Sequence, residues 1–199
     1  MHPQLISEGQ HSPSQGVLVP DSALLGLWLF LATVTMLFAA FTSAYLVRSA
    51  APDWETTPLP AVLWFNTVVL IASSISLERA RSRRRKSILK TFRNWFLVTL
   101  LLGFGFLAGQ LVAWKQLMDL GIFIPSNPHS SFFYILTGLH GLHLFSGLIL
   151  LLYVFMRLKP TLAENFSGPA HRDLTGLCAT YWHFLTALWL FVFVMLFYW

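Results

Sequence analysis

Five long stretches of the chain are almost wholly apolar: Leu24–Leu46, Pro60–Leu77, Phe92–Leu111, Phe132–Phe155 and Leu174–Trp199. Each is about as long as a bilayer-spanning helix, which needs roughly 20 residues. The pattern predicts an all-α fold, a polytopic membrane bundle of five transmembrane helices with spans at 24–47, 60–79, 92–117, 129–157 and 174–199. Residues 23–199 form that single domain, and the spans leave almost nothing over for a soluble one. Ahead of it, 1–22 is polar and rich in Ser, Pro and Gln, which reads as a disordered tail. The tail has no Lys or Arg, so it makes a poor signal-peptide n-region, and the first helix is expected to be retained. Composition agrees, because only 11% of residues are charged where a soluble domain carries roughly a quarter.

Charge sets the orientation. Between the second and third runs lies ERARSRRRKSILKTFR, with Arg79, Arg81, Arg83, Arg84, Arg85, Lys86, Lys90 and Arg93. Alternation puts Arg157, Lys159 and Arg172 on the same side, against Arg48 and Lys115 on the other. Positive loops stay cytoplasmic, so the N-terminus is expected inside and Trp199 outside. The Arg run reads as an anchor on anionic headgroups, not as a nucleic-acid site, because membrane helices flank it. The lone Cys178 excludes an internal disulfide and a cysteine-pair metal site.

The acids are Glu8, Asp21, Asp53, Glu55, Glu78, Asp119, Glu164 and Asp173, each in the tail, in a loop or at the end of a span. A charge at mid-bilayer costs about 2.5–3.5 kcal/mol on insertion scales and is kept where transport or proton relay requires it. This distribution argues against an ion pump, a carboxylate-coupled transporter and an intramembrane protease. A pore lined by Leu, Phe and Val would dewet. The reading is therefore a chain with no active site of its own.

The fourth run contains LTGLHGLHLFSG (Leu136–Gly147), with histidines and glycines where apolar residues dominate. At about 100° per residue, His129, His140 and His143 share a face with Leu136 and Gly147, while Gly138 and Gly141 share another with Tyr134 and Phe145. The glycine face would admit a neighbouring helix. Gly26, Ala32, Gly103, Gly105 and Gly109 are further positions that permit close approach. For the histidines three readings compete. As metal or haem ligands, His140, His143 and His183 lack a carboxylate or Cys in the helices to complete a shell. As proton carriers they lack a carboxylate to hand on to. As neutral, hydrogen-bonded residues that tie helices together or hold lipid they need nothing that is missing, and this is the reading taken. In the last run, Tyr181, Trp182, Trp189, Tyr198 and Trp199 suit interfacial belts, with His183 about one turn inside the cytoplasmic end. Asn127 and Pro128 suit an N-cap and first helical position, and Pro160 and Gly168-Pro169 break the chain later.

Two of these stretches carry a resemblance. SSFFYILTGLHGLHLFSGL (Ser130–Leu148) and YWHFLTALWLFVFVMLFYW (Tyr181–Trp199) closely resemble the last two helices of subunit III of the haem–copper oxidases. LGLWLFLATVTMLFAAFTSAYLV (Leu25–Val47) resembles the first helix of the five-helix bacterial form, and the second and third runs are similar to the next two, in order. The resemblance implies a non-catalytic subunit of a respiratory terminal oxidase, in the bacterial cytoplasmic membrane. It implies packing on the catalytic subunit I and other oxidase subunits, with haem and copper in those partners and no cofactor in this chain. It also implies phospholipid bound between helices, and support of oxygen reduction and proton pumping by the complex. Residues expected to carry packing, lipid or partner contact are His140, His143, His183, Gly138, Gly141, Tyr181, Trp182, Trp189 and Arg48.

The sequence departs from the family pattern at three acids. Val34 stands where the family usually has Glu or Asp, Ala113 replaces the acid of a Q-x-x-E-W pattern, and Thr186 replaces the Asp of W-H-F-x-D. A proton-relay role resting on the first of them does not carry over. Two other readings remain beside the oxidase: an accessory five-helix subunit of a nitric oxide reductase complex, and a stand-alone membrane haem protein. The electron donor, cytochrome c or quinol, is read by other subunits.

Overall fold

The structure, a computed structural model, describes residues 22–85, 89–157 and 169–198. The tail reading for 1–21 and the chain breaks at Pro160 and Gly168 lie outside the described residues. Five helices follow one another: α1 (Ser22–Ser49), α2 (Val62–Arg85), α3 (Leu89–Asp119), α4 (Pro128–Arg157) and α5 (Pro169–Tyr198). All five are long and apolar enough to cross a membrane, and no strand occurs among the described residues. In lipid, helices satisfy their backbone groups internally, so runs of this composition have little alternative. The protein is a multi-pass membrane protein.

The helices run past the apolar stretches. Most of the Arg-rich segment, read from the sequence as a loop, continues α2 through Arg85, and Lys90 and Arg93 lie in the first turns of α3. No Gly or Pro interrupts 62–102, and Arg, Lys and Glu are good helix formers once the chain leaves the bilayer. Near this basic end Arg79 stacks over Trp95 at 5.1 Å and Arg93 over Phe155 at 5.7 Å.

At the opposite end the caps follow the sequence. Ser130 N donates to Asn127 Oδ1 at 2.6 Å and Asn127 N to Ser130 Oγ at 3.2 Å, closing the N-terminus of α4 behind Pro128. α3 ends on Gly121, at φ 76°, with Gly121 N bonded to the Met118 carbonyl and Ile122 N to that of Leu117. That pair of bonds is a Schellman cap, and its left-handed residue is why glycine stands there.

Helices α2 to α5 close a ring in which each packs on the next and α5 returns to α2, while α1 packs from outside against α4 and α5. α1 buries one stripe, Leu31, Val34, Phe38 and Tyr45, and turns Trp28, Leu29, Met36 and Val47 outward. The α1–α2 loop crosses the far end, where Thr57 N donates to His129 Nδ1 at 3.2 Å.

Lipid tails are as apolar as leucine, so helices associate through close packing and interhelical hydrogen bonds. Every neighbouring pair in the ring has such a bond. Ser76 Oγ lies 2.7 Å from Thr99 Oγ1 (α2–α3). Trp114 Nε1 donates to Thr137 Oγ1 (α3–α4), and Tyr181 Oη to the His143 carbonyl (α4–α5). Trp182 and Trp189, two turns apart on α5, donate to Ser73 and Thr67 of α2, each at 3.0 Å. Trp182 also lies over two glycines: a Cβ on Gly103 would come within 2.9 Å of its ring, and one on Gly147 within 3.4 Å. One indole therefore touches α2, α3 and α4 at once.

Candidate functional site

The histidines that share a helix face in sequence point to different neighbours. His140 is fully buried, its ring 5.7 Å from Phe106 of α3 and 5.0 Å from Trp189 of α5, and neither ring nitrogen has a hydrogen-bond partner. His143, sixty degrees round the helix, is half-buried against α1, with Phe30 at 6.2 Å and Phe38 at 6.0 Å. Its Nδ1 donates to the Leu139 carbonyl one turn back at 2.7 Å. His183 turns to α2, where Nδ1 lies 2.5 Å from Ser74 Oγ and Nε2 3.4 Å from Glu78 Oε2. His140, His143 and His183 thus do not share one environment. Among the described residues no group of three or more His, Cys, Asp or Glu is placed to hold a metal ion.

One expectation needs correction. His183 does have a carboxylate within reach: Glu78, itself 3.7 Å from Arg81. The extended α2 carries Glu78 alongside α5, a pairing across 105 residues that linear reading misses.

The glycines also sort differently. A Cβ on Gly138 would meet Trp114 at 3.7 Å and one on Gly141 would meet Leu107 at 4.0 Å, ordinary contacts that do not demand glycine. The tight positions are Gly103, Gly147 and Gly109, the last against the Asn66 carboxamide. Gly26 and Gly105 have nothing within 4 Å.

The three positions at which the resemblance implies an acid are all buried: Val34 at 2% exposure, Ala113 at 0% and Thr186 at 7%. Val34 lies one turn from both Phe30 and Phe38, the α1 rings beside His143. Thr186 spends its hydroxyl on the Trp182 carbonyl, 3.0 Å away. Carbodiimide treatment is therefore expected to leave the Leu25–Leu46 peptide unlabelled and to modify Glu78, which is half exposed. Peptide mass spectrometry checks this, and a modified Leu25–Leu46 peptide would contradict it.

Because α1 stands outside the ring, grooves flank it. One, about 500 Å³, runs between α1 and α5 past Phe38, Thr42, Leu46, Phe184 and Phe191. The other, about 890 Å³, lies between α1 and the start of α4, past Ala44, Val47, Arg48, Pro128 and Phe132. Both walls are mainly apolar, and Arg48 sits at the far end of the second. Its guanidinium is held by Asp53 through two bonds of 2.7 and 2.6 Å. That fork holds the Asp53 carboxyl below its usual range. With the folded value depressed, the pair's contribution is complete above the ordinary aspartate range and is lost as pH falls through the lowered value. An Asp53→Asn variant is expected to lack that acid-side dependence. Thermal midpoints of both proteins from neutral pH downward check it, and parallel profiles would contradict it.

Comparison with known proteins bears on this arrangement. Residues 2–199 match the family described as cytochrome c oxidase subunit III. The chain belongs to that family. A cytochrome c oxidase subunit 3 from Synechocystis sp. is 33% identical over 186 residues, covering 89% of this chain and 76% of that protein. One from Thermostichus vulcanus is 30% identical over 182 residues, covering 89% and 88%. A probable cytochrome c oxidase subunit 3 from Mycobacterium tuberculosis is 30% identical over 184 residues, covering 90% and 89%. Membership of the cytochrome c oxidase subunit III family makes the chain an oxidase subunit and implies a hetero-oligomeric complex.

Trp182 and Trp189, expected in interfacial belts, are instead buried interhelical anchors, because their indole N–H groups find acceptors on α2. Tyr181 is likewise a buried interhelical anchor, and Arg48 edges a groove. Sequence reasoning missed Ser73, Ser74, Thr67 and Glu78 as partners of α5. It also missed Gln110, a buried polar residue whose type alone, inside an apolar run, was a usable signal.

Proposed function

We propose that this chain is the non-catalytic subunit III of a respiratory haem–copper oxidase, the cytochrome c-oxidising kind, packed on subunit I in a bacterial cytoplasmic membrane with its N-terminus inside. It binds phospholipid in the α1 grooves and supports oxygen reduction and proton pumping carried out by partners that hold the haem and copper. The observation that carries this reading is the detached packing of α1. A helix that buries one stripe on α4 and α5 leaves mainly apolar grooves of about 500 and 890 Å³ on its two flanks and a broad apolar outer face. Arg48, poised at the end of one groove, suits a lipid phosphate that displaces Asp53. The relatives named above favour the oxidase over a nitric oxide reductase accessory subunit, and the separate surroundings of His140, His143 and His183 disfavour a stand-alone haem protein.

The test is purification of the complex in mild detergent. Subunit I is expected to co-purify with this chain, together with phospholipid that is retained on washing. An Arg48→Ala variant is expected to retain less phospholipid. Recovery of the chain without an oxidase catalytic subunit would overturn the reading, and lipid-free complex of full activity would overturn its lipid arm.

A further inference from the structure

Two side chains inside the α2–α5 ring have polar atoms that no residue satisfies. Gln110 of α3 is 3% exposed and His140 of α4 is 0% exposed, and Nε2 and Oε1 of the one and both ring nitrogens of the other lack hydrogen-bond partners. Unpaired amide or imidazole groups in a dry interior each cost about 1–3 kcal/mol, so four such atoms in one ring of helices require an explanation.

The helix register places them together. Phe106, one turn before Gln110 on the same buried stripe of α3, has its ring against His140. Trp114, one turn after Gln110, donates to Thr137, three residues before His140. Gln110 thus lies between two α3–α4 contacts, one at His140 itself and one at Thr137. The rest of the stripe, Ala113 and Leu117, is fully buried.

We propose that Gln110 and His140 form an internal water site, with one or more ordered waters bridging the carboxamide to the imidazole between α3 and α4. A direct amide–imidazole bond satisfies only one ring nitrogen, and the rings that flank His140, Phe106 and Trp189, offer the other no partner: the Phe106 ring has no polar atom and the Trp189 N–H, a donor, is already spent on Thr67. Neutral imidazole supplies one donor and one acceptor, and the carboxamide supplies two donors and an acceptor. Buried water makes about three hydrogen bonds to such groups and is held where two to four polar partners converge. The node sets the register of α3 against α4 by a polar link that slippage would break. It is separate from the α1 grooves and does not rest on the lipid reading.

A density map of the intact oxidase complex, at a resolution that shows ordered water, is the direct test. Peaks within about 2.7–3.2 Å of Gln110 and His140 polar atoms are the expected result. A dry contact, or a protein group from a partner on these atoms, overturns the proposal. A double-mutant cycle in the same complex gives an independent answer. Gln110→Leu and His140→Phe each leave one half of the node unpaired and are expected to lower the thermal midpoint of the chain. The combined variant, with no polar atom left to hydrate, is expected to recover much of the loss. Additive effects of the two substitutions overturn the proposal, and should either single variant fail to assemble, the density map decides.

Discussion

Replacing Trp182 by alanine is expected to be the most damaging single substitution in the chain, costing about 3–5 kcal/mol. Three losses coincide at that position. The indole fills the space that Gly103 and Gly147 leave open, so its removal opens a cavity between α3, α4 and α5. Among the described residues, its N–H bond to Ser73 is one of two indole ties from α5 to α2. The glycines beneath it have no side chains with which to close the gap. Trp182→Phe separates these effects. It keeps most of the packing and gives up the hydrogen bond, and a cost near the average of about 0.6 kcal/mol for interhelical bonds in membranes, below about 2 kcal/mol, is expected. Thermal denaturation of the purified complex, followed through this chain, reads both. An alanine variant as stable as the phenylalanine one would show that the indole is not the junction described.

The second large effect is at Gly109. A methyl group there would fall on the side chain of Asn66, which is 1% exposed and lies between α2 and α3, the most extensively packed pair. Neither helix backbone nor a buried carboxamide moves cheaply, and overpacking of this kind costs about 1–3 kcal/mol. The outcome is expected to depend on the neighbour. Gly109→Ala combined with Asn66→Ala should recover much of the loss, because the second change removes the obstructing atoms. Gly105→Ala is the control: nothing lies within 4 Å of its added carbon, so it is expected to be neutral or to gain up to about 1 kcal/mol from helix propensity. If Gly105→Ala and Gly109→Ala behave alike, the close approach of α2 and α3 is not what the structure describes.

These two sites show what the sequence made legible and what it left hidden. Helix number and type followed from run length, since a bilayer admits few backbone solutions and 20 apolar residues have a clear meaning. Helix ends were legible where local chemistry marks them, as at Asn127 and Pro128. They were not at the Arg-rich segment, where composition changes at the membrane surface but helix propensity does not. Gly103 and Gly109 were readable as small, yet only the structure distinguishes them from Gly105 and Gly138, because the difference lies in what stands opposite. The pairing of His183 with Ser74 and Glu78 depends on which helices are neighbours and in what register. That is long-range information, and no spacing within α5 encodes it. For the same reason the shared face of His140 and His143 did not foretell their separation: α1 and α5 divide that face between them.

The central claim is that this chain braces and shields a redox complex without holding any of its redox centres. The measurement that tests it most directly is the optical spectrum of the purified oxidase before and after this chain is detached. The account predicts that all haem absorbance stays with the remaining core and that the detached chain shows no Soret band. A Soret band travelling with this chain, bound through any of its histidines, would contradict it.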